Sequence, residues 1–261
     1  MQNQTGSPLL VRAFVLIALL WLIIPVLIVI PMSFSSARFL AFPPPGWSLR
    51  WYQAFLGSPE WMAAARTSLI VAVAASLIAT VIGTAAAYAL NMSQSKLVRS
   101  LQVVLLLPLV VPVVITAVGV FLVYAKVGLI ATMTGLVLAN VMLGMPYVIT
   151  SVLVGLRKFD PTQEMVARSL GMNRWRAFFT VVLPQIRPSV VTGTLFAFIS
   201  ALDETIVALF ISGGENQTLT KRMFTALRDE IDPTIAAIST LLTGVSFILV
   251  LLVAANARTR K

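Results

Sequence analysis

The 261-residue sequence contains no cysteine and no histidine. That removes disulfides, thiol chemistry, any histidine-based catalytic triad and the usual zinc and haem ligands. Charge is also scarce. Only 11% of residues are charged, where soluble domains carry about 25%. Acidic residues are the scarcer sign, 9 Asp and Glu against 19 Lys and Arg. No Gly-Lys dipeptide occurs, so the chain has no phosphate-binding P-loop. What is abundant is apolar surface, 59% of the residues. The chain is therefore not a soluble globular protein. Its net charge of +10 would suggest a nucleic-acid partner in a soluble protein. In a membrane protein it reflects Lys and Arg gathered in cytoplasmic loops, and no nucleic-acid partner is expected.

Six stretches are long enough to cross about 30 Å of hydrocarbon as helices: 11–34, 67–92, 101–124, 133–156, 188–211 and 234–256. They run evenly along the chain, so residues 1–261 read as one membrane domain. The first has an apolar run longer than that of a signal peptide and no small-residue cleavage site after it, and is expected to be retained. With the N-terminus in the cytoplasm, the inside segments hold twelve basic residues, namely Arg12, Lys96, Arg99, Arg157, Lys158, Arg168, Arg174, Arg176, Arg187, Arg258, Arg260 and Lys261. The outside segments hold seven. The bias puts both termini in the cytoplasm. The outside loop 35–65 carries Pro43, Pro44 and Pro45, then Trp47, Trp51 and Trp61. Those tryptophans suit a belt at the headgroup level, or a lip that meets an external partner. The outside loop 212–233 reads as a short solvated helix from about Leu219.

The longest inside loop, 157–187, reads RKFDPTQEMVARSLGMNRWRAFFTVVLPQIR. Asp160 and Pro161 form a helix start, a capping carboxylate followed by proline in the first turn. A short amphipathic helix over 162–170 is expected to end at Gly171, since glycine accepts the left-handed cap conformation. A second helix, 174–182, is expected to stop at Pro184. On these residues the chain resembles the inner-membrane permeases of binding-protein-dependent ATP-binding-cassette (ABC) importers. Their signature is a Glu-Ala-Ala run, a glycine and an Ile-x-Leu-Pro element ten residues later. Ala167, Gly171, Val181, Leu183 and Pro184 stand at the matching distances. The family's glutamate position is Met165, and Glu164 lies one residue earlier.

The resemblance covers roughly residues 65–255 and implies a good deal. The fold would be all-α and integral to the membrane, with six transmembrane helices in the type I ABC importer permease arrangement and a cytoplasmic coupling helix. Glu164, Met165, Ala167, Gly171, Leu183 and Pro184 would serve coupling to an ATPase subunit. The partners would be a second, homologous permease, two ATP-binding subunits that hold ATP and magnesium, an external solute-binding protein and membrane lipid. This subunit itself would be no enzyme and hold no cofactor. It would lie in the bacterial inner membrane. Phe198-Ile199-Ser200-Ala201-Leu202-Asp203-Glu204, then Phe210-Ile211-Ser212-Gly213-Gly214 and Thr218-Leu219, bring it nearest to the spermidine/putrescine permease group. Ala201 is inserted there between serine and leucine, and Thr220 replaces that group's proline. Permeases for iron, thiamine and aminophosphonates share much of the pattern.

Asp203 and Glu204 are the acidic residues placed within a span, where a charge is costly and faces a cavity or a partner. Asp203 lies about 22 Å along the helix from Pro188, in the outer half of the bilayer. Adjacent helical residues point about 100° apart, so the two cannot share one narrow face. One is expected to line the path, the other to pair with a basic or backbone group. The pair either attracts a cationic solute or closes the outer gate, or else it fixes helix packing. Tyr124, Asn140, Tyr147 and Thr150 are further path candidates, each also readable as packing. Rival classes are an intramembrane enzyme, an ion channel or ion-coupled transporter acting alone, and a membrane scaffold. Co-purification with an ATPase subunit separates them from a permease.

Overall fold

The computed structural model describes residues 8–93 and 95–258; Arg260 and Lys261, counted above for orientation, lie outside the described residues. In chain order the helices are α1 (Pro8–Ser33), α2 (Arg50–Gly57), α3 (Pro59–Met92), α4 (Lys96–Leu106), α5 (Val113–Val127), α6 (Met133–Lys158), α7 (Pro161–Ser169), α8 (Arg174–Ala177), α9 (Leu183–Asp203), α10 (Ile206–Ile211), α11 (Leu219–Asp229) and α12 (Thr234–Arg258). Among the described residues, extended pairing is limited to the bridges Ser35–Trp47 and Gly213–Asn216. Among the described residues, five helices are long and apolar enough to cross a membrane, or six when the bent pair Lys96–Leu109 and Val113–Val127 counts as one span.

Three expectations about the spans need correction. The third, 101–124, is not one straight helix, because its halves meet at 101°. Pro108 and Pro112 lie at the break. Each lacks an N–H for the helical ladder and clashes with the preceding turn. The second span begins at Pro59 rather than at 67. The fifth begins well before 188 and ends before 211: a helix runs from Arg174 to Asp203 straight through Pro184 and Pro188. Pro184 does not stop it, because the turn Phe178–Val182 widens to π-helical spacing just ahead. That wide turn takes up the position whose ladder bond proline cannot donate.

The chain forms two compact units, Met1–Pro59 with Thr225–Val245 and Glu60–Phe224 with Ser246–Lys261. In the first, α1 is apolar on all sides and exposed along nearly its whole length. Such a helix is satisfied by surrounding lipid or by another apolar protein surface. The loop after it closes through Ser36 N–H to Gly46 O at 2.9 Å and Ser48 N–H to Phe34 O at 2.7 Å. Ser33 and Tyr52 hydroxyls meet at 2.8 Å. Arg50 stacks over Trp51 at 4.6 Å, and Trp47 is exposed.

The second unit holds the close-packed core. Val71, Ala117, Leu136, Ala139, Val207 and Ile211 bring α3, α5, α6 and α10 together. Helices α6 and α9 approach very closely. A Cβ on Gly193 would lie 2.9 Å from Val148 Cα, so only glycine permits that backbone contact. Thr80 and Thr194 hydroxyls meet at 2.7 Å between α3 and α9. Trp61, read from the sequence as part of a headgroup belt or an external lip, is buried with Arg222 over its ring at 4.8 Å.

Candidate functional site

The loop between α6 and α9 is built by local backbone chemistry. Asp160 accepts the Thr162 N–H at 2.9 Å, and Pro161 occupies the first helical position, where no N–H is needed. Hydrogen bonds from the Thr162 hydroxyl and N–H hold the Asp160 carboxyl below its ordinary pKa. At the other end Gly171 takes φ +93°. Its N–H bonds Arg168 O at 3.0 Å, and Met172 N–H bonds Ala167 O at 3.2 Å. These are the paired 5→2 and 6→1 bonds of a glycine-ended helix. Asn173 then caps α8 by accepting Arg176 N–H at 2.8 Å. The chain thus turns from α7 into α8 through a defined glycine elbow.

The outward side of this elbow mixes apolar side chains with the exposed Arg168, Arg174 and Arg176. Met165, Val166, Leu170 and Trp175 are all exposed. Ala167 turns inward, Leu183 is half-buried and Pro184 is exposed. Glu164, grouped by sequence with the residues that meet an ATPase subunit, points into its own subunit and is only 4% exposed. The Tyr88 hydroxyl of α3 donates to its Oε1 at 2.6 Å. Arg174 stacks on the Tyr88 ring at 5.4 Å, and the Phe178 ring packs against Tyr88 at 4.7 Å. The cluster ties α7 and α8 to the C-terminal end of α3.

A cleft of about 760 Å³ opens where α9 breaks. Tyr147, Phe196, Ser200, Asp203, Glu204 and Thr205 line it, together with the bend at Pro108–Val113. Asp203 is the last residue of α9 and is exposed. Among the described residues its carboxylate makes no hydrogen bond or ion pair. Glu204 leaves the helix with φ −68° and ψ 111°. Its carboxylate accepts Val207 N–H at 2.9 Å and Ala208 N–H at 3.2 Å, so it caps α10.

The structure therefore brings Tyr147, Asp203 and Glu204 together. Asn140 lies elsewhere: it is buried and donates to Leu136 O at 2.9 Å. Tyr124 packs at the edge of the apolar cluster, and Thr150 bonds back to Pro146 O at 2.8 Å. Phe196, Ser200 and Thr205 were not among the path candidates read from the sequence. The first two were legible, since 196, 200 and 203 share the spacing of one helical face. Among the described residues no group of three or more acidic, His or Cys side chains could hold a metal.

A family model described as a binding-protein-dependent transport system inner membrane component matches residues 79–261. The chain is 32% identical over 236 residues to the putrescine transport system permease protein PotI of Escherichia coli (strain K12), covering 88% of this chain and 84% of that one. It is 28% identical over 241 residues to the spermidine/putrescine transport system permease protein PotC of Haemophilus influenzae, covering 92% and 93%. It is 30% identical over 226 residues to the molybdenum transport system permease protein ModB of Mycobacterium bovis, covering 80% and 84%. Among solved structures, a bacterial ABC transporter that imports the acidic polysaccharide alginate matches with TM-score 0.74 at 15% identity, over 96% of this chain and 95% of that one. An amino acid ABC transporter matches with TM-score 0.59 at 20% identity, over 80% and 98%. The fold is that of ABC importer permeases, all-α and multi-pass.

Proposed function

Because this chain belongs to the family of binding-protein-dependent transport system inner membrane components, we propose that it forms, with a second homologous permease, the path by which a small cationic amine of the polyamine class enters the cell. An external binding protein delivers the amine, and two separate subunits hydrolyse the ATP. Residues 1–261 act as one membrane domain with both termini in the cytoplasm, which sets the elbow at Gly171 on the ATPase side.

The observation that carries this reading is the Asp203 carboxylate, turned to the cleft without a protein partner among the described residues. A cation crossing hydrocarbon needs compensating negative charge, and Asp203 supplies it in the outer half of the path. Glu204 is committed to capping α10. Tyr147 and Phe196 add aromatic faces to the same cleft, on which an ammonium group rests favourably. The relatives named for putrescine and spermidine support the same solute class. An anionic solute would meet repulsion at Asp203. On the cytoplasmic side, the exposed Met165, Val166, Leu170 and Trp175 form the surface that seats in the ATPase subunit, and the elbow fixes its angle.

The test is uptake of radiolabelled putrescine by cells that carry the intact importer and by cells lacking this chain, with the tagged chain also pulled down to recover its ATPase subunit. Uptake lost with the chain, and recovery of the ATPase, are expected. Equal putrescine uptake in both cells would sink the amine assignment, and a pull-down without an ATPase would sink the importer.

A further inference from the structure

The break after α9 leaves the carbonyls at its end without helical partners. One of them, Glu204 O, receives a hydrogen bond from Thr220 Oγ1 at 2.8 Å. Thr220 sits in the first turn of α11 and is 6% exposed. Its neighbour Leu219 donates its N–H to Ser68 Oγ at 2.8 Å, and Arg222 pairs with Glu60. The start of α11 is thus tied to α3 by two contacts and to the α9–α10 break by Thr220. That hydroxyl also lies 3.4 Å from Thr218 Oγ1, a longer contact than the one to Glu204 O, and the start of α11 has backbone ties of its own. Arg222 N–H bonds Thr218 O at 3.0 Å, and Lys221 N–H reaches Thr218 Oγ1 at 3.4 Å. Proline, the residue of the polyamine group here, would suit the same first turn but carries no hydroxyl to donate.

We propose that Thr220 is a positioning residue, whose hydroxyl clamps the Glu204 peptide and so holds the adjoining Asp203 carboxylate toward the cleft. Two groups define the break from opposite sides. The Glu204 carboxylate fixes the start of the next helix, by capping α10. Thr220 fixes the peptide that joins the two helices. With the hydroxyl gone, the carbonyl loses its donor and the peptide can rotate, which swings Asp203. The inference rests on the reading of the cleft as the solute path.

The absence of cysteine from the chain makes a direct test available. Ser200 and Asp203 are three residues apart on one helix and both line the cleft, so a thiol introduced by Ser200→Cys feels the Asp203 charge. In membranes with the assembled importer, its reaction rates with a cationic and with a neutral methanethiosulfonate of similar size are compared. The cationic reagent is expected to react faster. Adding Asp203→Asn should lower the cationic-to-neutral ratio by about fivefold, the scale of one nearby charge across a wet cleft. Thr220→Val and Thr220→Pro should each lower it toward the same value, and Thr220→Ser should keep it. Membrane amounts are measured alongside, and the proline variant keeps the test alive if the valine variant misfolds. A ratio lowered by Asp203→Asn yet unmoved by Thr220→Val or Thr220→Pro overturns the clamp alone. A ratio unmoved even by Asp203→Asn overturns the cleft as a cation path, and the clamp with it.

Discussion

Replacement of Gly171 tests the elbow by a graded series. At φ +93° an L side chain costs about 1–2 kcal/mol, least for asparagine and most for a β-branched residue. A Cβ at this position meets nothing within 4 Å, so the penalty is purely one of backbone conformation. Opposing it are the two bonds that close the elbow, 3.0 and 3.2 Å long, each contributing about 1 kcal/mol. With asparagine the bonds win clearly. With alanine they win by about 1 kcal/mol, which leaves the elbow formed in roughly five molecules of six. With valine the two sides nearly cancel, and about half or more of the elbows are lost. Solute-stimulated ATP hydrolysis by the assembled complex should therefore fall in the order glycine, asparagine, alanine, valine, with the amount of protein in the membrane unchanged. Asparagine as damaging as valine would refute the reasoning. It would mean that the surface at 171 must be bare for docking, and that left-handed geometry is not what matters.

Three further outcomes are expected. Tyr88→Phe removes the donor to buried Glu164. A hydrogen bond to a charged group contributes about 1.5–3 kcal/mol, so the purified complex should melt at lower temperature, while Glu164→Gln, which keeps an acceptor, should lose less. A thiol introduced by Ser58→Cys should react with an impermeant reagent in cells whose outer layer is opened, and one introduced by Asn173→Cys should not; the reverse pattern would invert the topology. Glu204→Ala uncaps α10 at a cost of about 1–2 kcal/mol and should lower the amount of folded protein, whereas Asp203→Asn should leave it unchanged.

What could be read in advance was local backbone chemistry. Asp160, Pro161 and Gly171 announce a start and a stop within a dozen residues, and the structure places them at the ends of α7. Hydropathy located the apolar segments, five spans or six with the bent pair among the described residues, but not their shape. A window of apolar residues does not register that Pro108 and Pro112 bend a helix by 101°, nor that a wide turn carries the chain through Pro184. The break at Glu204 did leave a trace: a carboxylate three and four residues ahead of the N–H groups it accepts has the reach of an N-terminal cap. Its place inside an apolar run hid it. Contacts between distant segments left none, because Tyr88 and Glu164 lie 76 positions apart, and neither residue alone names the other. Asn140 misled for a related reason, since a polar residue in a span is satisfied by its own helix as readily as by a solute.

The central claim is that a cationic amine passes Asp203 under the drive of ATP hydrolysed elsewhere. The most direct measurement tracks putrescine uptake and ATP hydrolysis together in vesicles holding the complete importer with its binding protein, for the parent chain and for Asp203→Asn. A monocation about 4 Å from a carboxylate gains at most about 4 kcal/mol at the effective dielectric of a protein surface. A partly wetted cleft retains enough of this for uptake to fall at least about tenfold. The expected result is that fall, with hydrolysis in the absence of solute and the recovery of the ATPase subunit both unchanged. Uptake by Asp203→Asn equal to that of the parent chain would contradict it.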